Sequence, residues 1–331
     1  MKRFLLLLLL TLLWPLCLTA CTPAPKNKVT IAIQYGVAYA PVELMRMNGT
    51  LERALPDYTI EWKQLGGPVP IREGMLAGEI DLGCMGIGPV LIGIDQGMPW
   101  RYCAALSSNE VAFVVNKPSI KTLADIEPKD RIAILSPGCT QHILLCMAAK
   151  EQLGNALALD GQLVSLSHPD ALSAMLAGGE VVMHVSCPPY TDLELQNGMT
   201  TLFTGEDLMG GPFTFISCVA MEKFHDQSPE AYQAFLTCLH QAVDELNADL
   251  PKAAQQLASV YGLSDAELYA QMSRHGTIYG GALRGIDKLA QAMAELGFLK
   301  AAPTRERYAF AGVPVESAAD DAKTLPAGGK P

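Results

Sequence analysis

The sequence predicts an α/β protein built as two similar lobes, and three observations carry that prediction. The tetrapeptide Met-Leu-Ala-Gly occurs at 75–78 and again at 175–178, one hundred positions on. Each copy precedes an apolar run, 80–85 and 181–185, that ends in small residues and proline: Gly86-Ile87-Gly88-Pro89 and Ser186-Cys187-Pro188-Pro189. Around both copies β-rich runs alternate with helical stretches, the pattern of βαβ units in a mostly parallel sheet. A helix, a tight glycine turn, a buried strand and an open strand end, made twice, imply two lobes whose strand ends share one cleft.

The elements follow in order. Residues 29–34 (VTIAIQ) are a strand, followed by Tyr35-Gly36 and a helix from about Ala40. Residues 59–64 alternate as a strand, and Leu65-Gly66-Gly67-Pro68 turns into the first Met-Leu-Ala-Gly helix. Strands are expected at 80–85, 100–106 and 111–116. The second lobe repeats the scheme: a strand at 131–135, a helix at 141–153, a strand at 162–165, the second Met-Leu-Ala-Gly helix and a strand at 181–185. One more strand, 214–219, follows Gly210-Gly211-Pro212. Helices are then expected at 230–249, 251–261, 264–273 and 284–296, several opened by proline in the first turn. The runs 111–116 and 214–219 flank the second block, so the second lobe is inserted into the first and two extended segments form a hinge.

The N-terminus reads as an export signal. Lys2-Arg3 precedes an apolar stretch at 4–18, and Leu18-Thr19-Ala20-Cys21 places small residues before a cysteine. This resembles a bacterial lipoprotein signal, which implies a leader at 1–20, cleavage before Cys21 and a lipid on Cys21. Residues 21–28 are then a polar, proline-rich tether. The expected divisions are a first lobe at 28–112, a second lobe at 113–213, a return to the first lobe at 214–312, and a disordered tail at 313–331, rich in alanine, proline, glycine and charge.

Composition fits an exported binding module. The 331-residue chain is 50% hydrophobic, with formal net charge −10, or −12 once Lys2 and Arg3 leave with the leader. An acidic chain without basic clusters argues against nucleic acid. Without Cys17 and Cys21, seven cysteines remain, an odd number lodged mostly in apolar runs, so few or no disulfides are expected.

The candidate site lies at the carboxyl ends of the strands. These loops are small or glycine-rich, several open into helices, and they hold no lysine or arginine. Glycine loops at helix starts present backbone N–H groups and the positive end of the helix dipole, so the ends after Gly36, Gly86 and Gly138 can converge on one anionic group. The candidate ligand-binding set is Tyr35, Gly36, Tyr39, Gly66, Gly86, Ile87, Gly88, Ser107, Gly138, Cys139, Thr140, His142 and Ser186. Each glycine alone also reads as an ordinary βα turn; their recurrence at successive strand ends favours a ligand site.

Competing chemistries find little support. Gly86-Ile87-Gly88 lacks the third glycine of a dinucleotide fingerprint, and there is no phosphate-loop lysine motif, His-Glu-x-x-His or nucleophile elbow. Cys139, His142 and Cys146 share a helix face, and with His184 and Cys187 they have the residue types of a soft metal site. The plainer reading, a histidine at the pocket edge with core cysteines, is preferred. Cys139 at a helix start has the position of a nucleophile, but no local motif positions a general base for it. Neither cofactor, metal nor catalysis is expected.

At this point six blocks in order resemble a known group: Tyr35-Gly-Val-Ala-Tyr-Ala-Pro41, Glu61-Trp-Lys-Gln-Leu-Gly66, Met85-Gly-Ile-Gly-Pro89, Ser136-Pro-Gly-Cys-Thr-Gln-His142, His168-Pro-Asp170 and Gly210-Gly-Pro-Phe-Thr-Phe215. They look like the nitrate/taurine/sulfonate group of ABC-transporter substrate-binding proteins. The resemblance covers about residues 28–300. It implies a two-lobed type II periplasmic-binding-protein fold with a two-strand hinge, a protein that works as a monomer outside the cytoplasm, and delivery of a small organic anion to a permease driven by an ATPase. Relatives in the group also bind thiamine-precursor pyrimidines. A neutral or cationic heteroaromatic ligand, met by Tyr35, Tyr39, His142, Glu110 and Asp170, is therefore the second reading. A related pyrimidine-forming branch carries a Cys-Cys-Cys-Phe-Cys motif that this chain lacks, and Cys139 stands where many relatives have serine.

Overall fold

The computed structural model describes residues 27–274 and 276–316. The leader, Cys21 and most of the tether lie outside the described residues. Residues 27 and 28, expected in the tether, already belong to the first strand.

Two sheets organise the chain. The first has the order β11-β4-β10-β3-β1-β2 and the second β7-β6-β8-β5-β9. The first is built from β1 (Asn27–Ile33), β2 (Tyr58–Gln64), β3 (Leu82–Gly86), β4 (Trp100–Ser108), β10 (Ile216–Met221) and β11 (Ile278–Tyr279). The second is built from β5 (Ala112–Val115), β6 (Arg131–Ile134), β7 (Leu163–Ser165), β8 (Val181–Ser186) and β9 (Thr200–Thr204). The β2-β1-β3-β10-β4 run of one sheet matches β7-β6-β8-β5-β9 of the other, strand for strand.

The repeated tetrapeptide marks equivalent places in this scheme. Pro68–Leu76 (α2) precedes β3, and His168–Ala177 (α5) precedes β8. Both helices take proline in the first turn, where the missing N–H costs nothing. Met75 and Met175 are both buried, and Gly78 and Gly178 follow at φ 74° and 69°, a turn that suits glycine. The repeat therefore reflects one supersecondary unit used twice.

Each sheet is mixed rather than mostly parallel. β1 runs parallel to β2 and β3, and β6 parallel to β7 and β8. β10 is antiparallel to β3 and β4, and β5 antiparallel to β8 and β9. The reason is topological: β5 and β10 reach their sheets by crossing from the other one, so no crossover helix returns them to a parallel course. The short β9 was not foreseen, because its sequence, TTLFT, is half-buried and lacks a clean alternation.

Helices cover the sheets and open at their carboxyl edges. They include Ala40–Asn48 (α1), Ile87–Asp95 (α3), Thr140–Leu153 (α4) and Tyr190–Gln196 (α6). A helical extension follows: Pro229–Ala248 (α7), Leu250–Tyr261 (α8), Asp265–Met272 (α9) and Ile286–Glu295 (α10). Among the described residues no helix is long and apolar enough to cross a membrane. Trp100 and Tyr102 are fully buried under α3 and anchor it through the Val90 and Ile87 carbonyls, at 3.1 and 2.6 Å. The cysteines at 84, 103, 139, 146, 187, 218 and 238 are free and buried.

Of the tail expected at 313–331, residues 313–316 are packed against the fold, and the rest lie outside the described residues. Val313 is buried, Val315 bridges Leu283, and Glu316 pairs with Arg284 at 2.7 Å. Two valines and one carboxylate are enough to hold this stretch, which the polar composition of the whole segment concealed.

Candidate functional site

The carboxyl ends of β1, β3, β6 and β8 meet between the two sheets. A pocket there is lined by Gln34, Tyr35, Tyr39, Pro68, Gly86, Pro89, Leu135, Cys139, Thr140, Gln141, His168, Cys187, Phe215 and Ile216. No lysine or arginine is among them. Of the expected residues, Tyr35, Tyr39, Gly86, Cys139 and Thr140 line it directly.

The remaining expected residues build its walls. Ser107 is buried and donates its hydroxyl to the Ala38 carbonyl at 2.8 Å, tying β4 to the turn after β1. Gly36 (φ 129°) passes close to Cys187 and the Pro188 carbonyl, and a Cβ there would touch both. Gly66 faces Ser167 across the cleft mouth. The His142 ring points away from the lining: its Nδ1 accepts the Gly138 N–H at 2.9 Å, its Nε2 lies 3.2 Å from Asp160, and its face meets the edge of Phe298.

The N–H groups expected to hold an anion are engaged within the protein. Val37 N–H donates to the Pro188 carbonyl at 3.0 Å, and Gly88 N–H donates to Thr140 Oγ1 at 3.1 Å. Both bonds run from elements of the first sheet to elements of the second. Ile87 N–H donates to the Phe215 carbonyl and Cys139 N–H to the Ser136 carbonyl. The structure is thus a closed form, in which the protein's own oxygens occupy donors at the strand ends. The hydroxyls of Ser136 and Ser186, at the ends of β6 and β8, are buried and have no partner among the described residues. Buried hydroxyls are normally paired, and neither of these two serines is among the residues that line the pocket.

Sequence reasoning missed the polar wall behind the pocket. His168 Nδ1 lies 2.8 Å from His184 Nε2, and His184 Nδ1 lies 2.6 Å from Glu194 Oε1. All three side chains are buried. His168 stacks on Tyr190, centroids 5.4 Å apart, and its Nε2 faces the Gln141 amide at 3.3 Å and Cys187 Sγ at 3.4 Å. Glu194 sits mid-helix in α6 with no motif around it; the sequence offered His168 in its His-Pro-Asp block, and His184 with Cys187 as conceivable metal ligands, without linking them.

The thiols are not primed for chemistry. Burial pushes the Cys139 thiol up, and the backbone N–H groups at the start of α4 only partly offset it. Burial, then the Asp160 carboxylate, pushes Cys146 up to about 12. A reactive thiolate needs the opposite shift.

His142, Cys146 and Asp160 bring one ligand atom each within 4.8 Å of one another. A metal does not fit this arrangement. Because His142 Nδ1 accepts the Gly138 N–H, the neutral ring carries its proton on Nε2, the atom a metal would need. His184 and Cys187, the other half of the conceivable soft-metal set, are engaged with Glu194 and His168 instead. Glu110 and Asp170, the carboxylates of the heteroaromatic reading, are also engaged elsewhere. Glu110 pairs with Arg274 at 2.7 Å, and Asp170 is an exposed partner of Ser167.

Paired mixed sheets, a two-fold crossing and a cleft at their carboxyl ends define the class: this is the periplasmic-binding-protein fold. The chain superposes on the alkanesulfonate-binding protein of Xanthomonas axonopodis pv. citri, bound to MOPS, with TM-score 0.69 and 24% identity, covering 85% of this chain and 96% of that one. It superposes on the periplasmic nitrate-binding protein of Synechocystis with TM-score 0.63 and 13% identity, covering 86% and 84%. At these identities the likeness is one of fold. In sequence the chain is 25% identical over 211 residues to the taurine-binding periplasmic protein of Escherichia coli K12, a match covering 62% of this chain and 63% of that protein. No family model matches the chain. The resemblance to the nitrate/taurine/sulfonate group of substrate-binding proteins is borne out.

Proposed function

We propose that this protein is an extracytoplasmic solute-binding protein of an ABC importer, held at the membrane by a lipid on Cys21 and acting as a monomer. It captures a small organic anion of the sulfonate, taurine or nitrate kind between its lobes and presents it to a permease. The observation that carries this reading is the pair of cross-cleft hydrogen bonds, Gly88 N–H to Thr140 and Val37 N–H to Pro188. Each places a backbone donor at the start of a helical turn against an oxygen of the opposite lobe. When the lobes part, both donors become free, and an anion can take the place of those oxygens. Closure then follows from differential affinity for the closed form. The engagement of Glu110 and Asp170 elsewhere removes the carboxylates that a cationic heteroaromatic would need.

The test is thermal unfolding of the chain from residue 22 against nitrate, taurine, methanesulfonate, longer alkyl- and arylsulfonates, and pyrimidine precursors. An occupant at a hundredfold its dissociation constant stabilises by about 2.7 kcal/mol, visible as a shift of several degrees. Stabilisation by anions supports the reading; stabilisation by pyrimidines alone overturns it.

A further inference from the structure

The buried row His168–His184–Glu194 has a direction. Two donors of the protein face His168 Nε2, the Gln141 amide and the Cys187 thiol, so that nitrogen accepts. The ring's proton then sits on Nδ1 and donates to His184 Nε2, and His184 Nδ1–H donates to Glu194. Every bond runs toward Glu194, the row carries one negative charge at its far end, and its near end, among the residues that line the cleft, is an acceptor. Both features disfavour an anion. The pocket lining holds no lysine or arginine to offset them.

One added proton reverses both. It enters at His168 Nε2; the Nδ1 proton of His168 passes to His184 Nε2; His184 becomes an imidazolium against the Glu194 carboxylate. The row is then neutral, and His168 Nε2 carries an N–H while the ring remains neutral itself. Gln141 turns its amide oxygen to that N–H, which releases the Gln141 NH2 donor to the cleft that both residues line. Glu194 Oε2 is buried without a partner among the described residues, so a bare carboxylate there is poorly compensated and the row gains from the proton. We propose that anion capture by this protein is proton-linked: seating an anion in the cleft draws one proton into the His168–His184–Glu194 row and turns His168 Nε2 from acceptor to donor. This rests on the reading of the occupant as an anion.

The surroundings leave the row as the group that responds. Cys187, from the loop after β8, is held as a thiol by burial first and by Glu194 second. Burial raises Tyr190 of α6 and Tyr39 of the turn after β1, so both stay neutral phenols, and Tyr35 also faces this wall. Asp192 of α6 is paired with Arg274, which also holds Glu110. Burial, with His184 second, holds His168 well below its usual range, against carrying the added charge itself.

The experiment is nitrogen-15 imidazole NMR of the chain from residue 22, which contains both sheets whole, between pH 5 and 9, with and without saturating methanesulfonate. Thermal shift is measured in parallel. The expected result is an Nδ1–H tautomer of His168 at high pH that gives way to Nε2–H as one proton enters, with methanesulfonate moving that midpoint upward. Its dissociation constant then rises by up to about tenfold per pH unit between the free and the bound midpoints and levels off above the bound one. Glu194→Gln removes the charge that binds the proton, and its affinity should lose this slope. Fixed tautomers overturn the proposal on the wild-type spectra alone, whether or not the variant folds. If methanesulfonate stabilises the protein but leaves the midpoint unmoved, the linkage fails and anion capture stands. If no anion on the panel stabilises the protein, the anion reading fails, and the linkage with it.

Discussion

Arg274, two residues after α9 beside the first sheet, is paired with Asp192 on α6 of the second, and its other nitrogen holds Glu110 in the crossing segment at 2.7 Å. One guanidinium thus bridges both lobes and the segment between them. All three side chains are about three-quarters or more buried. Arg274→Ala should favour the open form and weaken ligand binding by about tenfold, the loss of charge-assisted hydrogen bonds worth roughly 1.5 kcal/mol. Added salt should weaken the wild type and leave the variant nearly unchanged; equal salt sensitivity in calorimetric titrations would sink this clasp.

Thr140 should matter through its oxygen. Thr140→Ala removes a hydroxyl of the pocket lining whose O–H can donate to the anion, and is expected to weaken binding by roughly 1 kcal/mol or more. Thr140→Ser keeps the oxygen and should bind nearly as the wild type does. A serine variant as weak as the alanine one would assign the effect to the methyl group.

At Gly88 the two lobes are in close contact. A Cβ there would press on Ile143 and lie 3.3 Å from Thr140 Cα, a backbone atom that cannot rotate aside. Gly88→Ala should leave both sheets folded and hold the lobes apart. Small-angle scattering with saturating ligand checks this: the wild type contracts, and the variant keeps its open dimensions.

Glu43 is buried on α1, and burial raises its pKa against the pull of Arg46. A carboxyl raised in the folded state contributes stability below its unfolded pKa and loses it as pH rises through the folded value. Glu43→Gln should therefore raise the melting temperature at pH 7.5, with the gain vanishing by pH 4. A gain independent of pH would point to packing instead.

The thiols should be silent. With burial raising Cys139, Cys146 and Cys187, iodoacetamide at pH 7.5 is expected to leave the native protein unmodified and to label it fully in guanidinium. Rapid labelling of Cys139 in the native state would reopen a nucleophilic role for it.

Much of the scaffold was legible because it is local. Two copies of one tetrapeptide located equivalent helices, and the glycine-proline loops located the strand ends. What the sequence concealed is long-range. Val37 meets Pro188, Gly88 meets Thr140, and Glu110 meets Arg274 across 164 positions; no spacing announces such pairs. Glycine loops promised free N–H groups, but a closed cleft satisfies its own donors. Glu194 reads as one more charge on an amphipathic helix until β8 brings His184 against it.

The central place of β10 has a consequence for how the chain can be made. It separates β3 from β4, and those two strands share no ladder without it. Of the strands before residue 109, β2, β1 and β3 pair with one another, but β4 joins them only once positions 216–221 exist, whereas every strand of the second sheet lies within positions 112–204. The inner body can mature on its own as synthesis proceeds, while the outer one waits, split, for a segment encoded more than a hundred codons later.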